Sequence, residues 1–447
     1  MESVRIDTIA IGFSILVALA AAFLAALIPS LLPLRADLSS GLKNGAKMTS
    51  GSAGISGRGA LVVAQVALAV TVIAAAGLLI RSVARLQRVE LGLPAERLVL
   101  VELQVPQTNL KDRHRHAQFL NDVVARLDAV PVISSVTPVN LAPFSGQGWD
   151  VPRITGEGQD AGQAERNPSL NLESIHPNYF ATLQVPIVHG RAFIDADRAG
   201  VADVAILSQD LAERLWPGEN PVGKRLKMGD LAEKSAWYTV VGVAGSTRYR
   251  ELIRQHPTLY LAAAQFQMTA TMLVVRTTAS LELVQALARD SIQAVDPGVR
   301  VMRVASFGEL LGRPLARPTF NAFILAIFGA LALALSTIGL YAVMAAYVRQ
   351  REREIAIRLA VGATAARIRQ FVLAETMRLA GLGAIVGAGG AVAASPLLRG
   401  LLFDVDPLDP PTIVVAALLL VAAATLASYV PVRRATRVDA ATMLRGQ

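Results

Sequence analysis

Gly218 to Lys224 reads GENPVGK and satisfies G-x-x-x-x-G-K, the opening of a loop whose backbone N–H groups cradle nucleotide phosphates. The stretch departs from that chemistry at two positions. Arg225 stands where a Ser or Thr hydroxyl should hold magnesium, and Pro221 lacks one of the N–H donors a cradle needs. His114 and His116 are two residues apart, a spacing that on a helix directs them to different faces, so a solvated helix start is expected rather than a metal pair. HExxH, GxSxG and Cys/His clusters do not occur, and the carboxylates show no pairing that would mark acid–base catalysis. The absence of cysteine excludes disulfides, CxxC redox chemistry and thiolate metal sites. The residues therefore point to a protein that is not an enzyme by itself, with no catalytic, metal-binding or cofactor-binding residue and no cofactor.

The densest charge chemistry lies in Arg349 to Ala363, RQREREIAIRLAVGA. Arg349, Arg351, Arg353, Arg358, Arg367 and Arg369 crowd a short loop with only Glu352 and Glu354 as counter-charge, which is the composition of a loop held on the cytoplasmic side of a membrane. Ile355, Leu359 and Gly362 or Ala363 recur at helical spacing, and Glu354 precedes Arg358 by four residues in the favourable ion-pair order. A short cytoplasmic helix over 349–363 is expected. A basic cluster that only fixes topology and touches lipid headgroups is the other reading of the same residues.

Composition sets the stage for that loop. The 447-residue chain is 53% hydrophobic and only 17% charged, with a mean hydropathy of +0.46, too apolar for an ordinary soluble protein. The net charge of +9 sits at the ends of apolar spans rather than on an aromatic-rich polar domain, so positive-inside topology explains it and nucleic acid is not an expected partner. Membrane lipid is.

Five apolar runs are long enough to cross a bilayer at ~20 residues each. Span one is expected within 1–34, followed by a Gly/Ser-rich cytoplasmic linker at 35–59. Span two occupies 60–85, and Gln65 and Thr71 inside it are expected to contact neighbouring helices. Spans three to five fall at 320–348, 371–398 and 412–430 within a 317–447 region, with a cytoplasmic tail at 431–447. Pro314 and Pro318 suit the start of span three better than its interior. Gly383 and Gly387 form a GxxxG pair in span four, expected to serve helix packing.

Residues 86–316 contain no span and fall by topology outside the cytoplasm, the side without ATP, which also disfavours a phosphate role for Gly218–Lys224. Strand-like runs read at Leu98–Val105, Val132–Val139, Leu170–Ile175, Val204–Leu207, Tyr238–Val243, Leu259–Leu261 and Leu273–Arg276. Helical runs read at Arg113–Ala129, Gln209–Leu215 behind Ser208 as N-cap, and Leu281–Val295. The alternation favours βαβ-type subdomains, and the Gly- and Gln-rich residues 143–168 read as a mobile loop. An echo between Pro33–Lys43 and Pro431–Arg445 suggests that span one is the last helix of a preceding, mostly missing module.

At Arg353-Glu354-Ile355-Ala356-Ile357-Arg358, followed by Gly362-Ala363, the chain resembles the FtsX/MacB-type permeases of ABC transporters, whose pattern is R-E-I-G-I-R-x-x-x-G-A. The resemblance continues through Pro177–Phe180, Gly190–Phe193, Asn220–Lys224, Tyr238–Val243 and Pro431–Arg445, in order over most of residues 60–447. It implies an α-helical transmembrane bundle carrying a large α/β extracytoplasmic MacB-like core domain, in the inner membrane of a bacterial cell. It implies a cytoplasmic ABC ATPase as partner, touched by Arg349, Arg351, Arg353, Glu354, Ile355, Ile357, Arg358 and Gly362. A second permease module, as homo- or heterodimer or tandem half, and a periplasmic adaptor are further implied partners. Ala356 in place of the usual Gly and the additional first span depart from the pattern. Efflux or mechanotransmission is the function so implied, with regulation of an extracytoplasmic cell-wall hydrolase and an inactive truncated permease as the alternatives.

Overall fold

The computed structural model describes residues 57–435 except 152, 230–234, 254, 267–268, 352–353, 356, 359–360 and 362–363. Span one, residues 33–43 and 436–445 of the echo, Arg353 and Gly362 lie outside the described residues. The chain divides into two compact units, one of Val83–Phe320 and one of the described residues through Ser82 together with those from Asn321.

In the Val83–Phe320 unit, the first sheet joins β1 (Leu98–Gln104), β2 (Ile133–Val139), β11 (Met272–Thr277) and β12 (Arg300–Ser306) in the order β12-β1-β11-β2, all antiparallel. Period-two alternation splits its side chains between two cores. Val99, Val101, Leu273 and Val275 pack with Phe119, Leu120 and Val123 of the helix Arg113–Asp128 and with Val284, Ala288 and Ile292 of the helix Leu281–Val295. Leu98, Leu100 and Val274 face the opposite way, into an aromatic core with Tyr179, Phe180, Tyr249, Tyr260 and Phe307.

The second sheet runs β3-β5-β10-β7-β9-β8-β4, with β6 (Ile187–Gly190) paired to β9. Its members are β3 (Trp149–Val151), β4 (Ile154–Gly156), β5 (Leu170–Ile175), β7 (Val204–Ser208), β8 (Arg225–Met228), β9 (Trp237–Ala244) and β10 (Thr258–Ala262). Among the described residues only the pairs β5/β10 and β7/β9 are parallel, so there the expected βαβ pattern is confined to this sheet. Gly190, at φ +73°, and Gly242 let β6 cross close over β9. A Cβ on Gly190 would stand 2.2 Å from the Val241 carbonyl oxygen, and one on Gly242 would stand 2.2 Å from that of Arg191.

Three expectations need correction in this unit. Residues 143–168 are not a loop throughout: they contain β3, β4 and a short helix, Ala161–Glu165, closed by a capping box between Asp160 and Gln163. The Ser208 hydroxyl does not cap the following helix, because it accepts the Thr258 backbone N–H at 2.8 Å and ties β7 to β10. His116 is not solvated. Only 4% exposed, it hydrogen-bonds the Ala270 carbonyl oxygen, while His114 stays at the surface beside Gln118.

The remaining unit is helical. In chain order, naming every described helix of eight residues or more, α1 is Gly57–Gln87, α2 Arg113–Asp128, α3 Leu281–Val295, α4 Phe307–Gln350, α5 Ala365–Leu398 and α6 Pro410–Ala435. Among them α1, α4, α5 and α6 are long and apolar enough to cross a membrane. Many of their large apolar side chains, among them Phe323, Leu331, Ile338, Ile385 and Leu418, are exposed, as lipid-facing residues are. Pro314 and Pro318 lie inside α4 rather than at its start. The helix begins earlier because Ser306 accepts the Glu309 N–H at 3.1 Å, and Arg303 pairs with Glu309 at 2.5 Å. At ~1.5 Å per residue, 44 residues make a helix of ~66 Å, about twice the ~30 Å hydrocarbon core.

Candidate functional site

The loop between α4 and α5 follows directly from how α4 ends. Arg349 still belongs to that helix, its Nε donating to the Ala345 carbonyl oxygen at 3.3 Å, so the expected separate helix over 349–363 is shortened at its start. The chain turns at Arg351, and residues 354–355 and 357–358 are helical. Ile355 is buried at 8% exposure and anchors the loop inward, whereas Ile357 and Val361 project outward, Val361 with 83% of its surface free.

The charges are held in place by aromatic faces. The Arg351 guanidinium lies 4.5 Å from the Tyr347 ring centre and 5.8 Å from that of Phe371, and Arg358 lies 5.3 Å from Phe371 while pairing with Glu354 at 2.5 Å. Cation–π contact of this kind fixes a guanidinium without neutralising it. The described residues of the loop thus offer an ordered cationic and apolar surface. Ile355 faces away from that surface, which separates it from Ile357, Arg358 and Val361.

Beneath the loop, small residues set the seam between α1 and α5. A Cβ on Gly383 would meet Val66 at 2.4 Å, and one on Gly387 would meet the Ala67 carbonyl oxygen at 2.5 Å. Thr71 donates to the carbonyl oxygens of Ala67 and Gly387 at 2.9 and 3.0 Å, and Gln65 lies against Gly339 of α4. Thr376 and Ser428 join α5 to α6 at 3.1 Å, and Arg81 pairs with Asp409.

The phosphate-loop look-alike is disqualified by geometry as well as by composition. Its N–H groups are already engaged: Gly223 donates to Val240 at 2.8 Å, Lys224 to Pro221 at 3.1 Å and Val222 to the Asn220 side chain at 3.1 Å. Lys224 itself pairs with Glu219 beside the Trp216 ring.

Sequence reading missed a buried polar staple. Arg250, 3% exposed, donates to the carbonyl oxygens of Trp149 and Leu172, each at 2.9 Å, and to the side chains of Asn171, Asp150 and Glu173 at 2.9, 3.0 and 3.2 Å. It fastens β3 to β5. Burial pushes the Glu173 pKa up to about 7, with Arg250 pulling against it. Gly148 makes room for the guanidinium, since a Cβ there would fall 2.2 Å from it. A basic residue 77 positions from its carboxylate partner leaves no local pattern to read.

Residues 60–291 match the MacB-like periplasmic core domain family, and residues 326–440 match the FtsX-like permease C-terminal family. Relatives include the macrolide export ATP-binding/permease protein MacB of Marinobacter nauticus, 24% identical over 65% of this chain and 45% of that protein. Another is the probable syringafactin export ATP-binding/permease protein SyfD of Pseudomonas syringae pv. tomato, 24% identical over 78% of this chain and 52% of its own length. The chain thus spans about half the length of these curated relatives. Among solved structures, the periplasmic region of MacB from Actinobacillus actinomycetemcomitans aligns at 14% identity with a TM-score of 0.32, covering 49% of this chain and 92% of that one. The chain belongs to the MacB-like periplasmic core domain family, with an FtsX-like permease C-terminal region following that domain.

Proposed function

We propose that the chain is the permease part of an export system of the bacterial inner membrane, working with a cytoplasmic ATP-binding partner. In this reading the loop 351–364 receives the partner, and α4 carries its motion toward the domain that precedes it in sequence. The observation that carries the reading is the loop itself, with Arg351 and Arg358 seated on aromatic rings and Ile357 and Val361 left outward between two apolar helices. A mere topology signal needs charge but not ordered guanidinium groups beside exposed aliphatic ones. The printed names of the relatives, which speak of macrolide and syringafactin export by ATP-binding/permease proteins, support export as the task. Packing against a second permease module and contact with a periplasmic adaptor belong to the same proposal.

The test reverses Glu354 and Arg358 separately, as Glu354→Lys and Arg358→Glu. Both side chains are about half exposed, so their mutual pair is worth only ~0–1 kcal/mol to folding. At a docked interface the stranded charge costs more than the pair contributes. In correctly inserted protein, each reversal is expected to lower ATPase co-purification and transport-linked hydrolysis by about tenfold or more, which corresponds to ~1.4 kcal/mol. Unchanged docking and coupling would reduce the loop to a basic anchor.

A further inference from the structure

A groove of about 580 Å³ opens in the Val83–Phe320 unit between the turn that follows β4 and the chain running from the helix Gln209–Leu215 to β8. Leu215 and Trp216, each 4% exposed, form its buried floor. Hydrogen bonds tie its two walls together. The Trp216 Nε1–H donates to the Glu157 carbonyl oxygen at 3.0 Å, and the Glu157 carboxylate accepts from the Arg225 backbone N–H at 3.0 Å and from its guanidinium at 2.7 Å. The wall after β4 is also braced within itself, because Asn167 donates to the Ile154 carbonyl oxygen and to the Gln159 side chain, both at 2.8 Å. Glu219 and Lys224 stand on the other wall, so the residues that mimic a phosphate loop border this groove.

The charges on the lining do not balance. Both of its carboxylates are already matched, Glu157 by Arg225 and Glu219 by Lys224. Arg166 and Arg214 line the groove as well; both are exposed, and neither side chain has an ion-pair or hydrogen-bond partner among the described residues. Their sequence neighbours Glu165 and Glu213 are not on the lining. What the groove has to spare is therefore two guanidinium forks, the groups best shaped to hold carboxylates bidentately. Its rim is exposed at Gly158, Gln163 and Pro217, whereas a small-molecule site buries most of its ligand's surface. An open, braced groove of this kind suits an extended chain.

We infer that this groove docks an acidic peptide segment of a partner protein, with carboxylates of the segment held by Arg166 and Arg214. The inference stands apart from the ATPase-coupling reading, because it rests on residues 154–225 alone.

The test uses the full chain in nanodiscs of zwitterionic lipid. An environment-sensitive dye on Ala161→Cys, an exposed position on the helix that carries Gln163, is the single label in a chain without other cysteines and reports binding at this groove. Two octapeptides are titrated at physiological ionic strength, one alternating alanine with glutamate and one alternating alanine with glutamine. The labelled chain is expected to bind the glutamate peptide about tenfold more tightly. Arg166→Gln and Arg214→Gln, both at exposed positions, are each expected to weaken that binding about fivefold, whereas Arg289→Gln, an equal charge change at an exposed position of α3, leaves it unchanged. Glu219→Gln, which releases Lys224, is expected to tighten it about threefold. Equal affinity for the two peptides, undiminished binding by both groove variants, an equal loss in Arg289→Gln, or weaker binding by Glu219→Gln overturns the assignment. So does displacement of the peptide by free glutarate at equal carboxylate concentration, which would make the groove a site for small anions.

Discussion

Gly387→Val is expected to cost the helical unit more than ~3 kcal/mol, the upper end of ordinary overpacking, and to lower the yield of folded protein in detergent. The nearest obstacles to a Cβ at this position are backbone atoms of α1: the Ala67 oxygen at 2.5 Å and its Cα at 2.9 Å, with Val70 Cβ at 2.7 Å. Backbone cannot rotate away, so α1 and α5 would have to separate. Separation also breaks the bond from Thr71 to the Gly387 carbonyl oxygen. Because apolar side chains gain nothing from leaving lipid, close van der Waals packing of this kind supplies much of what holds such helices together. Gly389, two residues on, has nothing within 4 Å of a Cβ, so Gly389→Ala should be neutral or stabilising by up to ~1 kcal/mol through helix propensity. Unfolding by graded SDS, followed by the circular dichroism of the helices, separates the two. Equal stability of Gly387→Val and Gly389→Ala would mean that the seam is not formed as described.

Arg250→Ala is expected to destabilise the Val83–Phe320 unit by about 3–5 kcal/mol, the usual cost of removing one member of a buried charged pair. The loss strands the buried Glu173 carboxyl and the Asn171 side chain, and leaves the Trp149 and Leu172 carbonyl oxygens without their donor. Lysine should not rescue, since a point ammonium cannot serve that many acceptors in one plane. Glu173 adds a pH signature. Its pKa is about 7 when folded against an ordinary 4.5, so between those values the folded state holds the proton more tightly. The stability it contributes is full below about 4.5, falls as pH rises through about 7, and is level above. Glu173→Gln should flatten that slope. Thermal unfolding of the full chain at several pH values, with hydrogen exchange read at residues 143–151, measures both effects. An Arg250→Ala protein with wild-type melting and unchanged exchange would contradict the staple.

Much of the architecture was legible because it is written in local periodicity. The seven apolar runs read as strands coincide with β1, β2, β5, β7, β9, β10 and β11, each with a largely buried pattern. β3, β4, β6 and β8 escaped because they are three or four residues long and take their register from neighbours rather than from their own pattern, and the seven-residue β12 escaped because most of its residues are only half-buried or exposed and Arg300 and Arg303 interrupt its apolar run. The early start of α4 did leave a signal, Ser306 followed three residues later by Glu309, but Pro314 and Pro318 outweighed it. Glycine spacing marked a packing face at Gly383 and Gly387 without revealing that α1 is what covers it. Long-range pairings were invisible: neither the Arg250 staple nor the inward turn of His116 toward Ala270 follows from residues near them in sequence.

The permease reading requires that the Val83–Phe320 unit and the loop before α5 lie on opposite sides of one membrane, and the chain's lack of cysteine allows a direct test. Single cysteines at Glu213, exposed on the helix Gln209–Leu215, and at Val361, exposed in the loop, can be probed with a membrane-impermeant maleimide in intact spheroplasts and again after permeabilisation. Glu213→Cys is expected to react in intact spheroplasts and Val361→Cys only after permeabilisation. Reaction of both from the same side would place the basic loop and the folded domain in one compartment and contradict transmission across the membrane.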